Sequence, residues 1–150
     1  MTPALTLLPI GRDGSVPATG LVVAGIAAAV AEATAGMYRV TGFRPPWTGY
    51  LALCGEQIVG TCAFKAAPSD GAVEIAFFTF PGHEGQGFAT AMARQLIDIA
   101  YGADRSLKII AHTRPERNAS NAVLSKLGFL LLGDYEDPAD GTVWEWEYIR

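Results

Sequence analysis

Pro81-Gly-His-Glu-Gly-Gln-Gly-Phe-Ala-Thr90 is the stretch whose residue types and spacing point most directly to chemistry. It lies between an apolar, β-branched run and a segment of helical periodicity. Glycines at 85 and 87 remove side chains where a loop runs into a helix N-terminus, so successive backbone N–H groups can converge on an anion such as a phosphate. A Walker A loop needs Gly-x-x-x-x-Gly-Lys-Ser/Thr. Gly82 to Gly87 supplies the first part, but Phe88 and Ala89 stand where the lysine and hydroxyl belong. A dinucleotide loop needs Gly-x-Gly-x-x-Gly after the first strand of a parallel sheet. Here Thr90 replaces the third glycine, the loop follows a hairpin, and no acidic residue ends the next strand, Leu107 to Thr113.

Glu74 is the candidate base. It sits in a run otherwise made of Val, Ile, Ala, Phe and Thr, where a carboxyl is expected to have a raised pKa suited to accepting a proton. The alternative is a structural glutamate that caps or salt-bridges near a strand end. No Cys/His spacing supports a metal. His112, alone in an apolar strand, reads as a hydrogen-bonded core residue, and His83 adjoins the glycine loop.

Glu84-Gly85-Gln86-Gly87-Phe88-Ala89 resembles the Gln/Arg-x-x-Gly-x-Gly/Ala motif of the GNAT superfamily of acyl-CoA-dependent N-acyltransferases. The strand before it resembles that family's central strand. Arg117-Asn-Ala-Ser-Asn-Ala-Val-Leu-Ser-Lys-Leu-Gly-Phe129 resembles its second motif, especially in the branch of the ribosomal-protein N-terminal acetyltransferases, where Asn-x-Ser is followed by Lys-x-Gly-Phe. The two motifs stand in the family's order, about thirty residues apart, and with a closing Asp-Gly hairpin the resemblance covers about residues 47 to 149.

The resemblance implies one acyl-CoA-dependent N-acyltransferase domain over residues 1–150. Acetyl-CoA would be the co-substrate, held by Glu84, Gly85, Gln86, Gly87, Phe88, Ala89 and Thr90. Acetyl would pass directly to a primary amine, on a small molecule or a protein N-terminus. The backbone of Phe78, Thr79 and Phe80 would align the pantetheine arm, with one N–H polarising the thioester carbonyl. Asn118 and Ser120 would meet the same arm, a role compatible with their reading as N-cap and first-turn helix residues. Some members carry a catalytic Glu at the place of Glu74. Two departures stand out. Glu84 replaces Gln or Arg, which leaves pyrophosphate to the backbone amides. Leu124 replaces a Tyr that in many members protonates the departing thiolate. The second departure motivates an alternative, a non-catalytic acyl-CoA-binding or sensing domain of the same fold.

Periodicity and punctuation give the secondary structure around these residues. Leu5 to Ile10 is a short apolar run of edge-strand type, and Leu21 to Arg39 predicts a helix closed by Gly42. Pro45 and Pro46 break the chain before an antiparallel hairpin of Trp47 to Cys54 and Ile58 to Ala66 around Gly55. Trp47 and Tyr50 read either as core or as part of an acceptor-facing loop. Val73 to Phe80 predicts a third strand. Gly85 to Ala100 predicts a helix with Phe88, Met92, Leu96 and Ile99 on one face and Arg94, Gln95 and Asp98 opposite. After the strand Leu107 to Thr113, Asn118 caps a helix that ends at Leu127 with Gly128 as its αL cap. Strands at Phe129 to Leu132 and Val143 to Ile149, the latter carrying Trp144 and Trp146, enclose an Asp140-Gly141 turn. This mixed order predicts an α+β fold, GNAT-like by resemblance: a largely antiparallel central sheet of six to seven strands with helices on both faces.

Length and composition agree. The 150 residues are one domain's length, half are hydrophobic and 17% charged, a globular and ordered composition. A net charge of −4, with no Lys/Arg cluster to displace phosphate counterions, argues against nucleic acid and suits a cationic amine. The uncharged run Pro17 to Ala31 is too short for a membrane span and lacks a basic flank, since Arg12 is offset by Asp13. It reads as a buried helix. Around the Gly55-Glu56 turn Cys62 falls opposite Gly49 or Tyr50, which leaves Cys54 roughly 13 Å away along the ladder, too far for a disulfide. Two free thiols predict a reducing, cytoplasmic setting. The expected assembly is a monomer or homodimer, with no membrane partner.

Overall fold

The computed structural model describes residues 4–17 and 23–149. Its elements are β1 (Thr6–Pro9), α1 (Gly25–Thr41), β2 (Gly49–Cys54), β3 (Gln57–Phe64), β4 (Ala72–Thr79), α2 (Phe88–Ala103), β5 (Lys108–Thr113), α3 (Ala119–Leu127), β6 (Phe129–Asp137) and β7 (Gly141–Tyr148). The seven strands form one sheet in the order β1-β2-β3-β4-β5-β7-β6, with β1 on the edge as its short apolar run implies. Only β4 and β5 run parallel; the other neighbours are antiparallel. The β2–β3 register sets Tyr50 against Cys62, and both cysteines are free, as the turn position requires.

Strand alternation divides the core into two clusters. On one face Tyr50, Ala52, Val59, Cys62, Phe64, Val73 and Ile75 pack with Phe88, Met92, Leu96 and Ala100 of α2. Full burial of each large side chain there stabilises the fold by about 1.5–3 kcal/mol. Ile99 is only partly buried, because the inward stripe of α2 continues through Ala100. The outward Gln95 amide donates to the Leu5 carbonyl at 2.9 Å. Trp146 belongs to this cluster, and its indole N–H donates to Thr113 Oγ1 at 3.1 Å. Trp47 and Tyr50 pack as core: Trp47 meets Phe64 edge-on at 5.0 Å, and Tyr50 donates its hydroxyl to the Pro46 carbonyl at 2.6 Å.

On the other face Leu8, Ile10, Leu51 and Phe80 pack against Ala27, Ala31 and Tyr38 of α1. The helix expected from Leu21 is observed from Gly25; Leu21 and Val22 lie outside the described residues. It is not buried throughout. Ala27, Ala31, Ala35 and Tyr38 form a single inward stripe, while Ile26, Met37 and Val40 are exposed. The alanines let the helix lie close to the sheet, but α1 reaches β2 and β3 and leaves the same face of β4, β5 and β7 to polar side chains. Among the described residues no helix is long and apolar enough to cross a membrane.

Gly60 ties this packing to the end of β4. It pairs with Thr79, and a Cβ there would stand 2.6 Å from the Phe78 carbonyl oxygen and 3.0 Å from Met92 Cε. Gly60→Val should therefore destabilise the protein by about 1–3 kcal/mol, seen as a lower urea midpoint at unchanged slope. An unmoved midpoint would show that β3 and α2 yield there freely.

Candidate active site

The loop after β4 turns on Gly82, Gly85 and Gly87, at φ values of 91°, 76° and 84°. These are left-handed conformations that glycine adopts without Cβ strain. Gly87 is the N-cap of α2, whose first residue, Phe88, lies three residues later than the helix start expected at Gly85, and no side chain caps it. The first intrahelical bond runs from the Ala91 N–H to the Gly87 carbonyl, so the Phe88, Ala89 and Thr90 amides point from the helix end without a capping side chain. Glu84 folds back on its own loop, accepting from the Gly82 N–H at 2.8 Å.

Beside this loop the sheet splits. Pairing of β4 with β5 ends at Ile75–Ala111, whereas β4 stays paired with β3 as far as Thr79–Gly60. The hydrogen bonds fix which way each residue faces. Lys65 N–H to Glu74 O and Phe80 N–H to Val59 O direct the even-numbered residues of β4 toward β3. Lys108 N–H to Gly71 O directs the odd-numbered ones toward β5. Beyond Ile75 the backbone groups aimed at the split are thus those of Phe77 and Thr79. Phe78 pairs with Thr61, and Phe80 has its N–H committed and its side chain buried against α1. Among the three residues expected to present backbone, only Thr79 faces the gap. Phe77 was missed, because strand polarity depends on which neighbour hydrogen-bonds.

A cleft of about 520 Å³ occupies this gap. It brings together Phe78, Thr79, Glu84, Gly85, Gly87, Phe88, Ala89, Thr90 and Ser120 of the sequence-derived set. Phe80, Gln86 and Asn118 lie outside its lining. Gln86 is exposed, and Asn118 serves as N-cap, accepting from the Asn121 N–H at 3.0 Å. Phe77, His83 and Lys126 complete the wall, Lys126 contributing the cleft's ammonium group from the last turn of α3. Leu124 is fully buried in the core and offers the cleft nothing.

Glu74 stands on the face left open by α1. Its Oε2 is 3.7 Å from Lys65 Nζ and its Oε1 is 3.4 Å from His112 Nδ1. The paired state that a structural glutamate would show is therefore present. Burial pushes its carboxyl above the ordinary range; the His112 and Lys65 charges pull it partly back, and Asp137 and Asp140 push it up. His112 is hydrogen-bonded as expected, but to Glu145 on this polar face and not within the core. Between Glu74 and Phe78, Ala76 pairs with Ala63, so the floor between Glu74 and the cleft is lined by methyl groups.

This fold and split-sheet cleft define a known class. The profile of the acetyltransferase (GNAT) domain family matches residues 24–130, and the chain belongs to that family. It is 33% identical over 76 residues to YjdG, an uncharacterized N-acetyltransferase of Bacillus subtilis (strain 168), covering 50% of this chain and 45% of that protein. The aminoglycoside acetyltransferase AAC(6')-Ib in complex with coenzyme A superposes with a TM-score of 0.59 at 21% identity, over 69% of this chain and 66% of that one. The ribosomal L7/L12 α-N-protein acetyltransferase RimL, also solved with coenzyme A, gives 0.62 at 19%, over 82% and 71%. The chain thus spans about half of that curated relative and two-thirds of the aminoglycoside enzyme.

The raised Glu74 pKa has a consequence for stability. Above the ordinary glutamate value of about 4.3 the folded protein binds more protons at this site than the unfolded chain, so the site's contribution falls as pH rises toward the folded pKa. Glu74→Gln removes that dependence. Denaturant titrations should show the variant gaining stability relative to the parent from pH 4 upward. The opposite trend would mean that the Lys65 and His112 pairings outweigh burial.

Proposed function

We propose that residues 1–150 act as one acetyl-CoA-dependent N-acetyltransferase domain that passes acetyl directly to a primary amine, on a small molecule or a protein N-terminus. The observation that carries this reading is β4 itself. Its odd-numbered edge opens on a cleft that ends at uncapped helix amides, and its even-numbered face holds a pKa-raised carboxylate. The Phe88, Ala89 and Thr90 amides receive the pyrophosphate, with Lys126 adding positive charge. Phe77 and Thr79 extend the sheet to the pantetheine arm and polarise the thioester carbonyl. Glu74 accepts the proton as the amine nitrogen attacks the carbonyl carbon; the C–S bond then breaks and the thiolate leaves, tolerably so for a thiol of pKa about 8.5.

Direct transfer fits the cysteines. Burial pushes the Cys62 thiol far up, away from the thiolate an acyl-enzyme would need, and Cys54 lies at the β2–β3 turn. Their free state fits a reducing cytoplasm. Carboxylates at Glu74, Glu145 and Glu147 on the open face favour a cationic acceptor. A second reading, binding of acyl-CoA without turnover, draws on Leu124, whose burial leaves no tyrosine in its place to reprotonate the thiolate.

Acetyl-CoA at about a hundred times its dissociation constant should add roughly 2.7 kcal/mol of stability, seen as a raised melting temperature, and NADH and ATP should add none. Gly87→Val should lose that protection while remaining folded, because a branched side chain at φ 84° distorts the amide cradle. Protection by NADH alone would overturn the cofactor assignment.

Turnover separates enzyme from binder. Glu74→Gln should lower kcat by about a hundredfold to ten-thousandfold with acetyl-CoA affinity unchanged, and alkaline pH should partly restore it. The measurement is CoA thiol release with a panel of amines. Equal rates for both proteins at neutral pH would remove Glu74 from the chemistry, and no release with any amine would favour the binder.

A further inference from the structure

His112 takes no part in the cleft, yet it is the most fully engaged polar side chain on the open face. Its Nε2 lies 2.9 Å from Glu145 Oε2 on β7, its Nδ1 lies 3.4 Å from Glu74 Oε1 on β4, and the Tyr135 ring of β6 stacks on it at 4.7 Å and 16°. Three strands thus converge on one imidazole carried by a fourth. Its environment is polar on both edges and aromatic on one face. The side chain is only 11% exposed.

From this geometry we infer that His112, anchored by Glu145 and stacked under Tyr135, is a positioning residue that orients the Glu74 carboxylate and sets the pH at which it takes up a proton. The inference rests on the proposed role of Glu74 as base. A carboxylate only accepts hydrogen bonds, so an imidazole between two of them is satisfied on both sides only when both nitrogens carry hydrogen. Glu145 lies directly opposite His112 in the β5–β7 register, and its carboxylate anchors the Nε2 edge of the ring. The Nδ1 edge faces Glu74 Oε1, where positive charge favours the ionised carboxylate and turns it toward β5, while Lys65 reaches the other oxygen from β3. Other charges facing Glu74 and His112 are Asp137 and Asp140 of the β6–β7 hairpin; these act on Glu74, and Asp137 also on His112.

The test is carbon-detected NMR titration of the Glu74 carboxyl in the parent, His112→Asn and Glu145→Gln, which requires no acceptor. Asn places an uncharged donor near the Nδ1 position, so a purely structural contact would survive while the charge is lost. The Glu74 midpoint should rise by about one pH unit in His112→Asn and by less in Glu145→Gln, with acetyl-CoA protection against melting unchanged in both. With spermidine and a short peptide bearing a free α-amino group as acceptors, the acid limb of kcat/KM should move up by the same interval. That is about a tenfold loss on the acid side and little change at the alkaline plateau. If His112→Asn does not fold, the Glu145→Gln midpoint decides alone. An unshifted Glu74 midpoint overturns the inference, whatever the activity. Parental activity in Glu74→Gln would overturn the base assignment instead, a result the titration cannot mimic.

Discussion

The parallel pairing of β4 with β5 stops at Ile75 and Ala111, and most of what is distinctive in this molecule depends on that. β4 is held to β3 through Thr79, while β5 continues beside β7 from Ile110 to Thr113. The two strands are drawn apart by their other partners. Backbone groups inside a sheet need hydrogen bonds, and those of Phe77 and Thr79 face a gap where none is supplied by a neighbouring strand. A ligand with amide groups of its own can complete the sheet there, and the glycine loop and the end of α2 lie where that ligand would continue. The proposed cofactor site and the sheet topology are thus one feature.

β4 also serves the opposite side. Because side chains alternate, Val73, Ile75 and Phe77 belong to the face packed by α2, while Glu74, Ala76 and Phe78 belong to the face that α1 leaves uncovered. On the proposed reading, aligning the cofactor and activating an acceptor are therefore tasks for one eight-residue strand. The distance between them is set by strand geometry, with Ala63 and Ala76 keeping the path low.

What the sequence disclosed and what it hid follow from the range of the interactions. The Gly55 turn put Cys62 opposite Gly49 or Tyr50, and the ladder pairs it with Tyr50; Asn118 and Gly128 bracketed α3; the glycine loop was placed to within three residues of the helix start. All of these are local. Edge direction in β4 is not, since parity alone does not say whether Phe77 or Phe78 faces the gap until the neighbouring strands are known. The Glu145 partner of His112 lies 33 residues away, across a hairpin that periodicity located without its register. The expectation of a core histidine failed for that reason: Ile110 and His112 share a face that no helix covers. Lys126 carried a signal that went unused, since it sits inside the second motif on the same helix as Ser120, two turns apart.

The unequal cover on the two faces also shapes how this scaffold can diverge. On the α2 side the cleft walls merge into the core: Phe88 and Thr90 are buried, and Met92 and Leu96 follow within two turns. A change there disturbs packing and function together. On the other side Glu74, His112, Glu145 and Tyr135 interact chiefly with one another, and the hairpin beyond them is held by Asp137, which accepts from the Ala139 and Asp140 amides at 2.9 Å. Side chains on that face can be exchanged with small effect on the hydrophobic core. On the proposed reading, the acceptor side of this scaffold is thus separable from its core, whereas the acyl-donor side is built into it.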